Sequence, residues 1–129
     1  MLALTLYVIV PYNFYESRLR GSQKGSILAV PDSLNTADEG AAYAVEGIGY
    51  DFVPQVLSRD PADVDTWVKT SDQDAWVAVQ ALMRTEGLLV GGSSGSVLSG
   101  ALSWLKTTKE GQAMAQTAGA NVVILLPDG

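Results

Sequence analysis

Between Asp65 and Leu126 short apolar runs alternate with stretches of helical period, and that alternation restricts the folds open to the chain. Asp65–Thr70 (DTWVKT) suits a strand, because Thr, Trp and Val fit a pleated, half-buried surface. Ser71-Asp72-Gln73-Asp74 has the order of a capping box, with the Ser71 hydroxyl placed to accept from an amide of the first turn. Trp76, Val79, Leu82 and Met83 then recur at spacings of three and four, giving one apolar stripe, and Gly87 stands where a C′ glycine ends a helix. Leu88-Leu89-Val90 reads as a buried strand. Val97–Lys106 reads as a second helix with Val97, Leu98, Ala101, Trp104 and Leu105 inward, and Lys106 and Lys109 suit the dipole at its far end. Val122–Leu126 (VVILL) reads as another buried strand. Strands alternating with amphipathic helices imply an α/β fold, an open, mostly parallel sheet with flanking helices.

The first half is less regular. Gly25–Val30 (GSILAV) reads as a short strand stopped by Pro31, and Asp32–Gly40 as a surface loop. In Glu46-Gly47-Ile48-Gly49-Tyr50 two glycines bracket an isoleucine, which permits positive φ and close backbone approach; taken alone the motif reads as a tight turn between elements rather than a binding loop. Pro54 confines Asp51–Leu57 to a loop or a sheet edge. Asp60-Pro61 has the form of an N-cap followed by proline at N1, opening one short turn. Met1–Val10 is uncharged and apolar, but ten residues fall short of the roughly 20 that cross a bilayer. The run lacks the basic start and small-residue cleavage site of a secretory signal, so it reads as a buried strand or an appendage. Tyr12–Lys24 has neither a helical nor a strand period.

Composition narrows the chemistry. A chain of 129 residues builds one compact core and not two. The net charge of −6, with no basic stripe, argues against nucleic acid as a partner. With no cysteine and no histidine, disulfides, thiolate nucleophiles, Cys/His metal sites and Ser-His-Asp triads all drop out. Hydroxyls, carboxylates, amines, backbone groups or a cofactor remain.

The glycine-serine turn Gly91–Ser96 (GGSSGS) lies between a strand and a helix, at the end of the sheet where α/β proteins hold ligands. A helix N-terminus favours an anion, and serine hydroxyls can also pair with an uncharged ring nitrogen. The turn lacks the lysine of a P-loop and the full Gly-x-Gly-x-x-Gly pattern, so on its own it is equally well read as a flexible connector.

From about Gly25 to Asp128 the chain resembles the later half of the catalytic domain of the cystathionine β-synthase family, pyridoxal-phosphate (PLP) enzymes of fold type II, the tryptophan-synthase-β group. GSILA (Gly25–Ala29), EGIGYDFVP (Glu46–Pro54), Trp67 and Lys69 within DTWVKTSDQDA, EGLLVGGSSGS (Glu86–Ser96) and VVILLPD (Val122–Asp128) carry the match in order and spacing. Cysteine synthases share the layout, but their first motif usually has alanine where Tyr50 stands and lacks Glu46, which ranks them second. A non-catalytic remnant of the fold that binds an anion or a partner is the third reading.

The resemblance implies a division of the chain into residues 1–24, a non-family segment that is disordered or a gene-prediction artefact, and residues 25–129, a portion of a PLP-dependent domain. It implies Ser93 as the hydroxyl facing the pyridine nitrogen, with Gly92 and Ser94 beside it on the cofactor-binding turn. Glu46, Gly47, Gly49 and Tyr50 would lie next to the amino-acid substrate. The implied activity is a lyase reaction of transsulfuration and cysteine biosynthesis: the hydroxyl of serine is replaced by homocysteine to give cystathionine. The family's Schiff-base lysine and phosphate loop precede the resembling stretch, so no residue of this chain is expected to be catalytic, and the chain alone is expected to be inactive. Lys24, Lys69, Lys106 and Lys109 read as solvated or helix-end residues. The family context further implies a cytoplasmic, homo-oligomeric protein without membrane or metal; haem is left open.

Overall fold

The computed structural model describes residues 5–9 and 17–127. Its elements are β1 (Thr5–Ile9), β2 (Ser17–Gln23), α1 (Ser33–Thr36), β3 (Thr66–Thr70), α2 (Asp72–Thr85), α3 (Gly92–Thr107), α4 (Lys109–Ala115) and β4 (Asn121–Val123). One four-stranded sheet has the order β3-β2-β1-β4. The chain is α/β as expected, and parallel pairing among the described strands is confined to β2 and β3, with Leu19 opposite Thr66 and Gln23 opposite Thr70. β1 runs antiparallel to both its neighbours.

Alternation along β2 and β3 separates two cores. On one face Leu19 and Val68 meet Ala101 and Trp104 of α3 and Met114 of α4. On the other, Trp67 packs with Leu28, Ala29 and Val64 from the loops, and the Arg20 guanidinium lies 5.7 Å from the Trp67 ring centroid. Each large apolar side chain buried this way contributes about 1.5–3 kcal/mol.

Several elements match the sequence reading. β3 and α2 fall where expected, and the Ser71 side chain accepts from the Asp74 amide. Gly87 ends α2 at φ +69°. Asp60 Oδ1 accepts from the Ala62 amide and its carbonyl from the Asp63 amide, closing the short turn.

Others differ. β2 lies inside the stretch without a period, while Gly25–Val30 forms bends rather than a strand. The carbonyls of Ile27 and Ala29 are taken instead by Asn35 Nδ2 at 3.1 and 2.9 Å. β2 hides its period because Ser22 and Gln23 are buried polar residues and Gly21 has no side chain. Within the apolar first run, Thr5–Ile9 is a strand, while Met1–Leu4 and Val10 lie outside the described residues.

Leu88–Val90 is not a strand, and Leu89 is 71 % exposed. Val122–Leu126 supplies only the end of β4, an edge strand whose residues are all exposed. Apolar runs this short do not distinguish a buried strand from an edge. On α2 the buried stripe is Ala75, Ala78 and Val79, whereas Trp76 and Met83 are each 44 % exposed. The cause is close packing on α3, which favours alanine at the contact and turns the large side chains to its rim.

Asp65 extends the β2–β3 pairing beyond the last ladder residue. Its Oδ2 accepts from the Arg18 amide at 2.6 Å and from Arg18 Nε at 3.3 Å, and its own amide donates to the Arg18 carbonyl. Partial burial would raise the Asp65 pKa, but the Arg18 amide and guanidinium together outweigh it and hold the carboxyl below its ordinary value. A depressed carboxyl pKa adds stability that is complete above the unfolded value and is lost as pH falls through the folded one. Stability should therefore decline below about pH 4. Asp65→Asn should flatten that decline in urea-melt midpoints, by at most about 1 kcal/mol because the pair is partly exposed. An acid limb of unchanged steepness in the variant would contradict this.

Candidate functional site

The glycine-serine turn is a helix rather than a loop: Gly92–Ser96 forms the first turn of α3. Gly91 is the N-cap at φ −85°, ψ 179°, and having no side chain it leaves the helix start without a side-chain cap. The first turn itself carries no acidic residue; besides glycine it contributes the hydroxyls of Ser93, Ser94 and Ser96 beside its amides and the positive end of the helix dipole. Ser93 is half-buried, while Ser94 and Ser96 are fully buried. The glycines serve packing. A Cβ on Gly92 would sit 2.9 Å from the Trp76 ring, and one on Gly95 would sit 2.2 Å from the Ala75 carbonyl oxygen.

Ser96 opens a buried polar network that the sequence reading did not find. Its Oγ lies 3.2 Å from Gln23 Oε1 and 3.2 Å from Thr70 Oγ1, and Thr70 Oγ1 is itself 3.2 Å from Gln23 Oε1. Gln23 is 0 % exposed at the carboxyl end of β2, and its Nε2 donates to Asp72 Oδ1 at 2.6 Å. Asp72 in turn accepts from the amides of Ala44 (2.7 Å) and Val45 (3.0 Å). The Gln23 amide donates to the Ile48 carbonyl.

Those bonds set the Glu46–Tyr50 loop against the ends of β2 and β3. Gly47 takes φ +87°, and Gly49 allows close approach: a Cβ there would be 2.9 Å from Gln23 Cβ and 2.8 Å from the Tyr43 ring. The Tyr50 amide donates to Ser26 Oγ, and the Ile27 amide donates to the Tyr50 carbonyl. Ile48 and Gly49 are buried, Tyr50 is half-buried and Glu46 is exposed. Gly47, Ile48 and Tyr50 also line a mainly apolar cleft of about 110 Å³ with Arg20, Leu57 and Trp67. The structure thus brings both sequence-selected segments to one end of the parallel pair, where open α/β sheets hold their ligands.

Gln23 gave no signal in sequence, since a glutamine in a polar stretch resembles any surface residue. Asp72 was visible only as an acidic residue in a first turn. Lys69 also departs from its reading as solvated. It is half-buried, and its Nζ donates to the Ser26 carbonyl at 2.7 Å and to Asn35 Oδ1 at 3.2 Å. Burial pushes its pKa down, partly opposed by Asp38. These bonds tie β3 to the Ser26–Asn35 segment, a structural role.

No family model matches the chain. Individual relatives do. Cystathionine β-synthase of Dictyostelium discoideum is 51% identical over 88 residues, 68% of this chain. The Rattus norvegicus and Saccharomyces cerevisiae proteins of the same name are 47% and 44% identical, each over 81% of the chain. The chain belongs to the cystathionine β-synthase family. It spans only 17–19% of the length of these relatives. Among solved structures, an O-acetylserine dependent cystathionine β-synthase from Helicobacter pylori superposes with a TM-score of 0.55 at 30% identity, over 72% of this chain and 28% of that one. A cysteine synthase from Entamoeba histolytica superposes with a TM-score of 0.63 over 90% of this chain and 30% of that one; at 22% identity it shows the fold alone. Among the described residues no helix is long and apolar enough to cross a membrane.

Proposed function

We propose that residues 25–129 form the part of a PLP-dependent cystathionine β-synthase domain that faces the pyridine side of the cofactor. The observation that carries this is 44–51% identity, over 68–81% of the chain, to relatives that share that one name. The donor set at the start of α3 fits the group. Hydroxyls and helix amides in a first turn that carries no carboxylate suit an unprotonated ring nitrogen, and Ser93, half-buried where Ser94 and Ser96 are fully buried, is the residue we assign to it.

PLP, when bound, supplies an electron sink for replacement at the β-carbon of an amino acid. A hydroxyl does not hold the pyridine nitrogen protonated as a carboxylate would, so Ser93 keeps that withdrawal moderate. Gly92 and Ser94 shape the turn around it. Glu46, Gly47, Gly49 and Tyr50 form the substrate-side loop, with Tyr50 and Glu46 offering polar groups and the glycines permitting close approach. The substrates we assign are serine and homocysteine, giving cystathionine and water. The relatives at 44–51% identity carry the plain name, whereas the Bacillus subtilis protein named O-acetylserine dependent is 33% identical. The Schiff-base lysine and the phosphate-binding loop we assign to parts of the relatives outside the matched span.

The test uses pyridoxamine 5′-phosphate, which keeps the pyridine nitrogen but lacks the aldehyde that would react with lysines. Titrated into the 129-residue chain, it should move the amide resonances of Gly92–Ser94 and Glu46–Tyr50 most, and Ser93→Ala should shrink those shifts. Shifts concentrated elsewhere, or indifferent to Ser93→Ala, would reject the assignment.

A further inference from the structure

We propose that the Gln23 side chain is a positioning residue that couples the first turn of α3 to the Glu46–Tyr50 loop, so that the two move as one unit. The inference rests on the reading of that end of the sheet as the cofactor-facing site, and adds a residue to it outside both segments.

Gln23 matches its donor and its acceptor to different elements. Its Oε1 receives the hydroxyls of Ser96 and Thr70, and its Nε2 gives a proton to Asp72. Only one orientation of the amide satisfies these partners, because a flip would aim its oxygen at a carboxylate. Asp72 passes the constraint on through the amides of Ala44 and Val45, which directly precede Glu46. A continuous path of hydrogen bonds thus runs from Ser96, two residues after Ser94, through one buried side chain, to the base of the other loop. Because Gln23 is 0 % exposed, water does not substitute for the lost partner. An ionised glutamate at this position could accept but not donate, and a leucine could do neither.

The arrangement is testable by reversing the donor and the acceptor. Gln23→Glu keeps the acceptor for Ser96 and Thr70 but, once ionised, sets a second carboxylate against Asp72, so exchange is read above the pH at which the pair sheds its shared proton. Amide hydrogen exchange, read by NMR on the 129-residue chain, should then speed up at least about fivefold at Ala44 and Val45 and also at Gly95 in the first turn of α3. Adding Asp72→Asn restores a donor facing position 23. The amide so introduced would turn its nitrogen toward the new carboxylate, on the side where Asp72 Oδ1 now serves Val45, and keep its oxygen toward Ala44. In the double variant Gly95 and Ala44 should return to within about twofold of the parent, while Val45 stays fast.

The proposal is overturned if Gln23→Glu perturbs only one of the two segments, or if the double variant is no slower than the single one. Should Gln23→Glu not fold, Ser96→Ala decides the matter alone. It removes one hydroxyl from α3, and coupling requires faster exchange at Ala44 and Val45; unchanged rates there reject it. None of these measurements needs the cofactor. Coupling without any response to pyridoxamine 5′-phosphate would leave this inference standing and reject the proposed function, and the opposite result would do the reverse.

Discussion

Gly95→Ala should lower the stability of the chain by roughly 3 kcal/mol, the upper part of the range for overpacking, and Gly95→Val by more. The new Cβ would lie 2.2 Å from the Ala75 carbonyl oxygen and 2.6 Å from Val79 Cγ2. The first of these is backbone inside α2, so no rotamer change relieves it. α2 and α3 would have to move apart, opening the contact made by Ala75, Ala78 and Val79. An alanine ordinarily favours a helix over glycine by about 1 kcal/mol, which makes the expected sign diagnostic. Gly21→Ala is the contrasting variant. Nothing lies within 4 Å of a Cβ there, so it should be neutral or slightly stabilising. Urea melts of the two variants provide the measurement. A Gly95→Ala midpoint equal to that of the parent would show that the helices are not held at this distance.

The same contact explains what the sequence disclosed and what it did not. Ser71, Gly87 and Asp60 were legible because capping and left-handed stops are local, decided by neighbours within four residues. The inward face of α3 was legible because Val97, Ala101 and Trp104 are buried on the side of the helix that meets β2 and β3, where the ordinary helical stripe holds. On α2 Val79 is buried as expected, whereas Trp76 and Met83 are not, because the helix packs on one carrying glycine and closeness there selects alanine over the larger residues. Leu88–Val90 and Val122–Leu126 were misread for a different reason: an apolar run reports a preference for burial but not what lies beside it. At the site, the two glycine motifs were visible as patterns, while Gln23, Thr70 and Asp72 act through partners 26 to 73 positions away. No spacing rule reaches that far.

Asp72→Ala is expected to be the most damaging polar substitution, lowering stability by about 3 kcal/mol through the loss of bonds to a charged acceptor. Three donors lose their partner at once: Gln23 Nε2, the Ala44 amide and the Val45 amide. The part belonging to Gln23 weighs most, because Ala44 is exposed and water can reach its amide, whereas Gln23 is sealed. Asp72 also begins α2, where a carboxylate favours the helix dipole by about 0.3–1 kcal/mol. Asp74→Ala separates the two contributions. Asp74 shares the first turn and the dipole, but it is exposed and its carboxylate bonds the Ser71 hydroxyl rather than a buried group. If the network governs, Asp74→Ala should lower stability by no more than about 1 kcal/mol, and Asp72→Asn should fall between the two alanine variants because it keeps one oxygen acceptor. Equal losses for Asp72→Ala and Asp74→Ala would mean that Asp72 acts only as a helix-terminal charge. In that case the Glu46–Tyr50 loop is held by the close approach at Gly49, by Ser26 Oγ and by the backbone bonds from Gln23 to Ile48 and from Ile27 to Tyr50. The order of the three midpoints therefore tests whether the two ends of the candidate site share one anchor or have two.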